Sequence, residues 1–260
     1  MLNRQSEAAE KGEKIMNIRV FDNEAQAGQA AALVIGAQIV KNPDSVIGLA
    51  TGSTPVLAYQ ELVRLTKQGI LDWNHVTTFN LDEYLGLAGD HEQSYRAFMM
   101  KNLFSKVNIQ PDAIHIPDGM AKDPEAASLA YERTINTRGG IDLQLLGLGR
   151  NGHIGFNEPG SFFATRTHVV DLTEDTINAN ARFFANPSDV PRRAMTMGIG
   201  TIMQAKAILM LVTGAEKARA VRGMVCNPVD PQCPGSVLQL HANVTVFLDR
   251  PAATAMYHCQ

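Results

Sequence analysis

From Ile18 onward, short β-branched or apolar runs alternate with longer amphipathic stretches, and few architectures accept that alternation. It predicts a parallel β-sheet covered by helices on both faces. The strand segments are Ile18–Phe21, Val46–Ala50, His75–Asn80, Ala113–Ile116, Leu143–Leu148, Thr167–Leu172, Ala194–Met197, Ala207–Val212 and Val244–Leu248. Helical patterns occupy Asn23–Lys41, Pro55–Gln68, Ser94–Phe104, Pro124–Arg138, Glu174–Phe183 and Ala215–Val225. Each is long enough to return the chain to a parallel neighbour. Several strand segments are apolar on both faces, as buried parallel strands are. The expected fold is α/β and Rossmann-like: a doubly wound, mostly parallel sheet with helices on both faces.

The chain of 260 residues, 45% of them hydrophobic, can bury a substantial core. After the first 16 residues it has no repeat, low-complexity tract or linker, so residues 17–260 are read as one α/β domain. Residues 1–16 are polar and are read as a disordered extension upstream of a start at Met16. A formal net charge of -3 gives no basic surface for nucleic acid or an anionic membrane. Any anionic ligand must then be held by local donors. No apolar run approaches the roughly 18 residues of a membrane span, and the N-terminal segment lacks a signal-peptide core. The odd cysteine count (Cys226, Cys233 and Cys259) argues against a disulfide framework and for a reducing, cytoplasmic compartment. None of the three has zinc-site spacing, so no metal is expected.

Ligands of open α/β sheets bind beyond the carboxyl ends of the strands, so the segments that follow each strand carry the functional reading. After the strand ending at Ala50 comes Thr51-Gly52-Ser53-Thr54-Pro55. With Thr54 as N-cap and Pro55 as first helical residue, it reads either as an ordinary capped turn or as a helix N-terminus that binds phosphate. The next loop carries Asp82 and Glu83, two adjacent carboxylates that suit either a general base or the capping of a following turn.

Gly147-Leu148-Gly149-Arg150-Asn151-Gly152-His153 contains a formal GxGxxG, with Asp171 about 20 residues further on, where a ribose-binding acid would stand. A dinucleotide site needs a helix to begin at those glycines. Ile154-Gly155-Phe156-Asn157-Glu158-Pro159-Gly160 cannot supply one. What remains is a glycine-rich loop that brings His153 and Glu158 together beside Asn151 and Asn157. An imidazole is matched to proton transfer near neutral pH, and a carboxylate partner fixes its tautomer, so the loop reads as an acid/base site. Lys217 falls in the first turn of a helix, where a cation is unfavourable unless an anion joins it; a solvated surface lysine is the plainer alternative. Arg182 is a second candidate anion partner.

TGSTP at 51–55, FNLDEY at 79–84, the SYRAFM run from Ser94, GLGRNGHIGFNEPGS at 147–161, Ala181–Phe184 and LQLH at 238–241 together resemble the glucosamine-6-phosphate deaminase family, over about Ile18 to Asp249. The GHIGFNEP string also separates the chain from related phosphogluconolactonases, whose loop resembles GHTASLFP. The resemblance implies a cofactor-free enzyme that converts glucosamine 6-phosphate and water to fructose 6-phosphate and ammonia. It implies Asp82 as the base moving a proton from C2 to C1, and His153 as the ring-opening group, assisted by Glu158 and Asn151. Thr51, Gly52, Ser53, Thr54, Arg182 and Lys217 would hold the phosphate. Some relatives carry Asp where Asn151 stands; here that residue can orient His153 without adding charge. Members activated by an N-acetylated sugar phosphate carry basic residues where this chain has His168 and Val170, and they extend further past the last strand. The resemblance therefore implies an unregulated monomer or small homo-oligomer. A lactonase of the same superfamily could use His153 but leaves Asp82 unused, and a non-catalytic sugar-phosphate binder would not need the acid/base set.

Overall fold

The computed structural model describes residues 16–258 apart from 182–183, 185 and 187–188. In chain order its elements are β1 (Asn17–Phe21), α1 (Glu24–Lys41), β2 (Val46–Leu49), α2 (Val56–Lys67), β3 (Thr77–Asn80), β4 (Asp82–Tyr84), α3 (Tyr95–Asn102) and β5 (Ile114–His115). There follow α4 (Pro124–Thr137), β6 (Leu143–Leu146), β7 (His168–Asp171), α5 (Glu174–Ala181), β8 (Arg193–Thr196) and α6 (Ile199–Met203). The last are β9 (Ala207–Val212), α7 (Ala218–Cys226), β10 (Val244–Asp249) and α8 (Arg250–Ala253).

Helix starts follow local chemistry: the Asn23 side chain accepts from Gln26 N to cap α1, and Asp123 accepts from Ala126 N to cap α4, with Pro124 behind it. The strands β2 and β6 are buried along their whole length, as their Val, Ile and Leu content demands. Ile35, Leu49, Leu62 and Leu145 are almost wholly excluded from solvent. Each such side chain contributes roughly 1.5–3 kcal/mol relative to exposure.

A seven-stranded sheet has the order β1-β10-β9-β6-β2-β3-β5, and its pairings are parallel. From β2 the chain winds outward through β3 to β5. It then returns to lay β6 on the other side of β2 and continues through β9 to β10. This is the doubly wound arrangement, with its reversal between β2 and β6. The loops leaving the carboxyl ends of those two strands diverge there and open a crevice.

One part of the sheet departs from the sequence reading. Segments 167–172 and 194–197 do not enter the parallel sheet: β7 and β8 pair antiparallel, and β8 pairs antiparallel with β4, in a separate three-stranded sheet. β4, read from sequence only as a loop, follows β3 after the single residue Leu81. β7 is partly exposed along its length and carries His168 and Asp171. Such a strand cannot be buried on both faces, and an antiparallel sheet allows one wet side. Tyr84, Phe156, Leu172, Ile177, Val190 and Ala194 form a second small core that joins this sheet to α5.

Among the described residues no helix is long and apolar enough to cross a membrane. Cys233 is a free, half-buried thiol, but Cys226 at the end of α7 is disulfide-bonded, contrary to the reduced state read from the cysteine count.

Candidate active site

Asp82 opens β4 and is 6% exposed. Burial raises its carboxyl first, and the neighbouring Glu83 charge adds to this, so that its pKa is pushed up to about 8. Glu83 points elsewhere. Its Oε1 accepts from Tyr84 N and Tyr95 N, and its Oε2 from Arg96 N, each at 2.9 Å. Two of those donors are the first N–H groups of α3, which have no partner within the helix. The adjacent carboxylates thus divide: Glu83 anchors a helix, and Asp82 is left facing the glycine-rich loop.

That loop leaves β6 as a closed turn, with Gly152 N donating to Gly149 O at 3.1 Å and Gly149 N donating to His153 O at 2.8 Å. The His153 ring lies flat against Gly149, where a Cβ would stand 2.4 Å from its Cδ2 and Nε2. Any other residue at 149 would expel the ring. Gly155 has φ +58°, and a Cβ there would stand 2.9 Å from Thr196 Oγ1 and 3.6 Å from Asp82 Oδ2. The Gly155 backbone therefore passes close to the Asp82 carboxyl, where an added methyl group would stand in van der Waals contact with it. Three bonds fix that approach: Phe156 N donates to Thr196 Oγ1 at 3.0 Å, and Asn157 Nδ2 donates to the carbonyls of Ile154 and Met197. No helix begins at these glycines; the chain passes through an isolated Ile154–Asn157 bridge instead.

Within the loop His153 Nδ1 approaches Glu158 Oε1 at 3.1 Å, off the line of a well-formed hydrogen bond. Thr176 Oγ1 donates to the same carboxyl oxygen at 2.7 Å, and Asn151 Nδ2 donates to Oε2 at 2.6 Å. Asn151 Oδ1 accepts from His153 N at 3.2 Å. Asn151 thus touches the histidine through its backbone and, by way of Glu158, its ring. Burial alone would raise the Glu158 carboxyl, but the His153, Thr176 and Asn151 partners outweigh it and hold the carboxyl below its usual value. The glutamate is an anion beside an imidazole, oriented from three sides.

The Thr51–Thr54 loop leaves β2 on the neighbouring strand. Here the sequence reading was one residue early: α2 begins at Val56, Pro55 is its N-cap, and no side chain caps the helix. Thr54 is therefore not spent on capping, because the Pro55 ring nitrogen has no hydrogen and Val56 N donates to Ser53 O. Among the described residues the hydroxyls of Thr51, Ser53 and Thr54 make no hydrogen bond, and Gly52 takes φ +101° at the bend. On the other flank β9 leads through Gly214 into a 3-10 turn, Ala215–Lys217, with Lys217 at the N-cap of α7 rather than inside the helix. Its ammonium is partly buried. Burial lowers its pKa first, Glu216 opposes this, and the Arg150 charge lowers it further. Arg182 lies outside the described residues.

The structure thus gathers Asp82, Asn151, His153 and Glu158 around one loop, with Thr51–Thr54 and Lys217 in the segments that follow the two flanking strands. Thr176, Thr196 and Arg150 join them and were missed from sequence. A threonine that serves a carboxylate 18 residues away has no local signature. A cavity of about 310 Å³ lies behind Glu158, lined also by Phe162, His168 and Val170; it includes neither Asp82 nor His153.

Residues 22–247 match the family model described as glucosamine-6-phosphate isomerases/6-phosphogluconolactonase. The chain is 51% identical over 241 residues to the glucosamine-6-phosphate deaminase of Clostridioides difficile (strain 630), covering 93% of this chain and 97% of that one. It is 49% identical to the deaminase of Alkaliphilus oremlandii (strain OhILAs), covering 93% of this chain and all of that one. Among solved structures, a monomeric glucosamine-6-phosphate deaminase superposes with TM-score 0.90 at 44% identity, over 92% of this chain and 100% of that one. The 6-phosphogluconolactonase of Trypanosoma cruzi superposes with TM-score 0.72 at 23% identity, over 93% and 97%, a likeness of fold alone.

Proposed function

Since the chain belongs to the glucosamine-6-phosphate isomerase/6-phosphogluconolactonase family, we propose that it converts glucosamine 6-phosphate and water to fructose 6-phosphate and ammonia, in amino-sugar breakdown. The relatives at about half identity carry the deaminase name over nearly their whole length. The observation that carries the reading is that one loop holds both the His153–Glu158 pair and Gly155, whose backbone lies close to the buried, raised carboxyl of Asp82. Lactone hydrolysis needs one activated water and leaves Asp82 idle. An aldose–ketose rearrangement needs both centres.

In this reading His153, backed by the Glu158 anion, moves the proton between O1 and O5 that opens the pyranose ring. Asp82, once ionised, takes the C2 proton and returns it to C1 from the same face of the enolamine. The amino group then leaves C2 as ammonia when water adds there. Burial serves Asp82 because it raises basicity: a carboxylate of ordinary pKa is a weak base toward carbon. The free hydroxyls and N–H groups of Thr51–Thr54, with Lys217 and Arg182, hold the phosphate away from the reacting carbons and orient the sugar. The reaction as written uses side chains alone. We place the enzyme in the cytoplasm, where sugar phosphates are held, and read it as a monomer or small homo-oligomer, in line with the monomeric relative.

The test is ammonia release from glucosamine 6-phosphate by purified protein, run beside hydrolysis of 6-phosphogluconolactone and with C2 proton exchange followed by NMR. Ammonia and exchange without lactonase activity support the reading. Lactone hydrolysis without exchange would overturn it.

A further inference from the structure

We propose that Arg150 is a further phosphate-binding residue, a guanidinium standing between Lys217 and the Thr51–Thr54 loop. The inference rests on the reading that the substrate phosphate lies at those two loops. Its basis is the strand order: β9, β6 and β2 are consecutive parallel neighbours, so the loops at their carboxyl ends lie side by side with that of β6 in the middle. Arg150 is the first residue inside the closed turn of that middle loop, bounded by the Gly152 N to Gly149 O bond. It is exposed, and among the described residues its guanidinium makes no hydrogen bond or ion pair.

Its charge is felt on the next loop, where it disfavours the charged form of the partly buried Lys217. Two cations held within each other's field repel unless an anion joins them. On Lys217 the Glu216 carboxylate, which folds back over Gly214, is the stronger influence and favours the charged form, but Arg150 itself has no anionic partner among the described residues. A phosphate dianion between the loops would satisfy both, and a guanidinium can grip it with two parallel N–H groups. The substrate's shape fits the spacing. The ring oxygen O5 is four bonds from phosphorus, and His153, the group assigned to ring opening, is in the same turn as Arg150. One turn would thus carry a contact to each end of that short stretch.

The test compares Arg150→Ala, Arg150→Lys and Lys217→Ala, measuring KM and kcat for glucosamine 6-phosphate and the inhibition constant of inorganic phosphate. Arg150→Ala is expected to raise KM and the phosphate inhibition constant together, on the order of tenfold. It should leave kcat within about twofold and the melting temperature unchanged, and Lys should restore most of the loss. If Lys217→Ala raises both constants and Arg150→Ala raises neither, Arg150 is outside the clamp and the phosphate assignment stands. If neither variant alters phosphate inhibition, the assignment fails and the role of Arg150 falls with it.

Discussion

Asp82 combines two properties that pull in opposite directions. As a buried acid with a raised pKa it is a strong base when ionised, but ionising it in place opposes folding. Because its folded value of about 8 lies above the ordinary 3.8, the penalty is absent at low pH, grows as pH rises through that window, and is complete above it. Asp82→Asn is therefore expected to lose turnover by at least about 10²–10⁴-fold. It should also gain stability progressively as pH rises from about 4 to about 8, by up to several kcal/mol, with little gain near pH 4. Activity assays and melting curves at both pH values check this; a variant that exchanges the C2 proton normally would remove Asp82 from the mechanism. In the wild type the acidic limb of kcat/KM should lie well above the usual carboxylate range. At Asn151 the relevant contact is the 2.6 Å bond to Glu158. Asn151→Asp replaces that donor with a like charge, which raises the Glu158 carboxyl. The pH–rate profile should shift, with activity retained; an unchanged profile would mean Glu158 does not act as an anion.

At the scale of elements, α3 is held by a residue outside it. Glu83 collects three backbone N–H donors, among them Tyr95 and Arg96 at the start of that helix. Glu83→Ala should destabilise the protein by roughly 3 kcal/mol, since each buried donor left unpaired costs about 1–3 kcal/mol. Chemical denaturation measures the loss, and Glu83→Gln should recover part of it. A variant as stable as wild type would show that water replaces the carboxylate without loss. The pair Asp82-Glu83 was legible as two carboxylates in one strand-end loop, with base and cap both open. Which residue takes which role depends on β4, and β4 exists only because β8 pairs with it. The partner strand is more than 100 residues away in sequence, so no local pattern announces it.

At the scale of the molecule, the sequence resemblance sets Val170 where effector-regulated members carry a basic residue, and His168 Nδ1 is hydrogen-bonded to the Arg166 carbonyl. Both line the cavity behind Glu158, which is thereby short of charge-assisted donors for a second phosphate. Without differential binding there is nothing to shift a conformational equilibrium. Substrate dependence should be hyperbolic, unaffected by N-acetylglucosamine 6-phosphate. Sigmoidal rates that the acetylated sugar makes hyperbolic would refute this. The alternation of buried strands and amphipathic helices determined the doubly wound fold from sequence, because burial on both faces forces a composition that is visible locally. The loops after β2, β6 and β9 were visible for a like reason: Gly, Pro and short polar residues cannot continue a helix or strand. Only tertiary structure decided the strand order that makes those loops neighbours. It also decided the antiparallel pairing that turned Asp82 under Gly155 and brought Thr176 to Glu158, contacts between segments whose spacing along the chain carries no periodic signal.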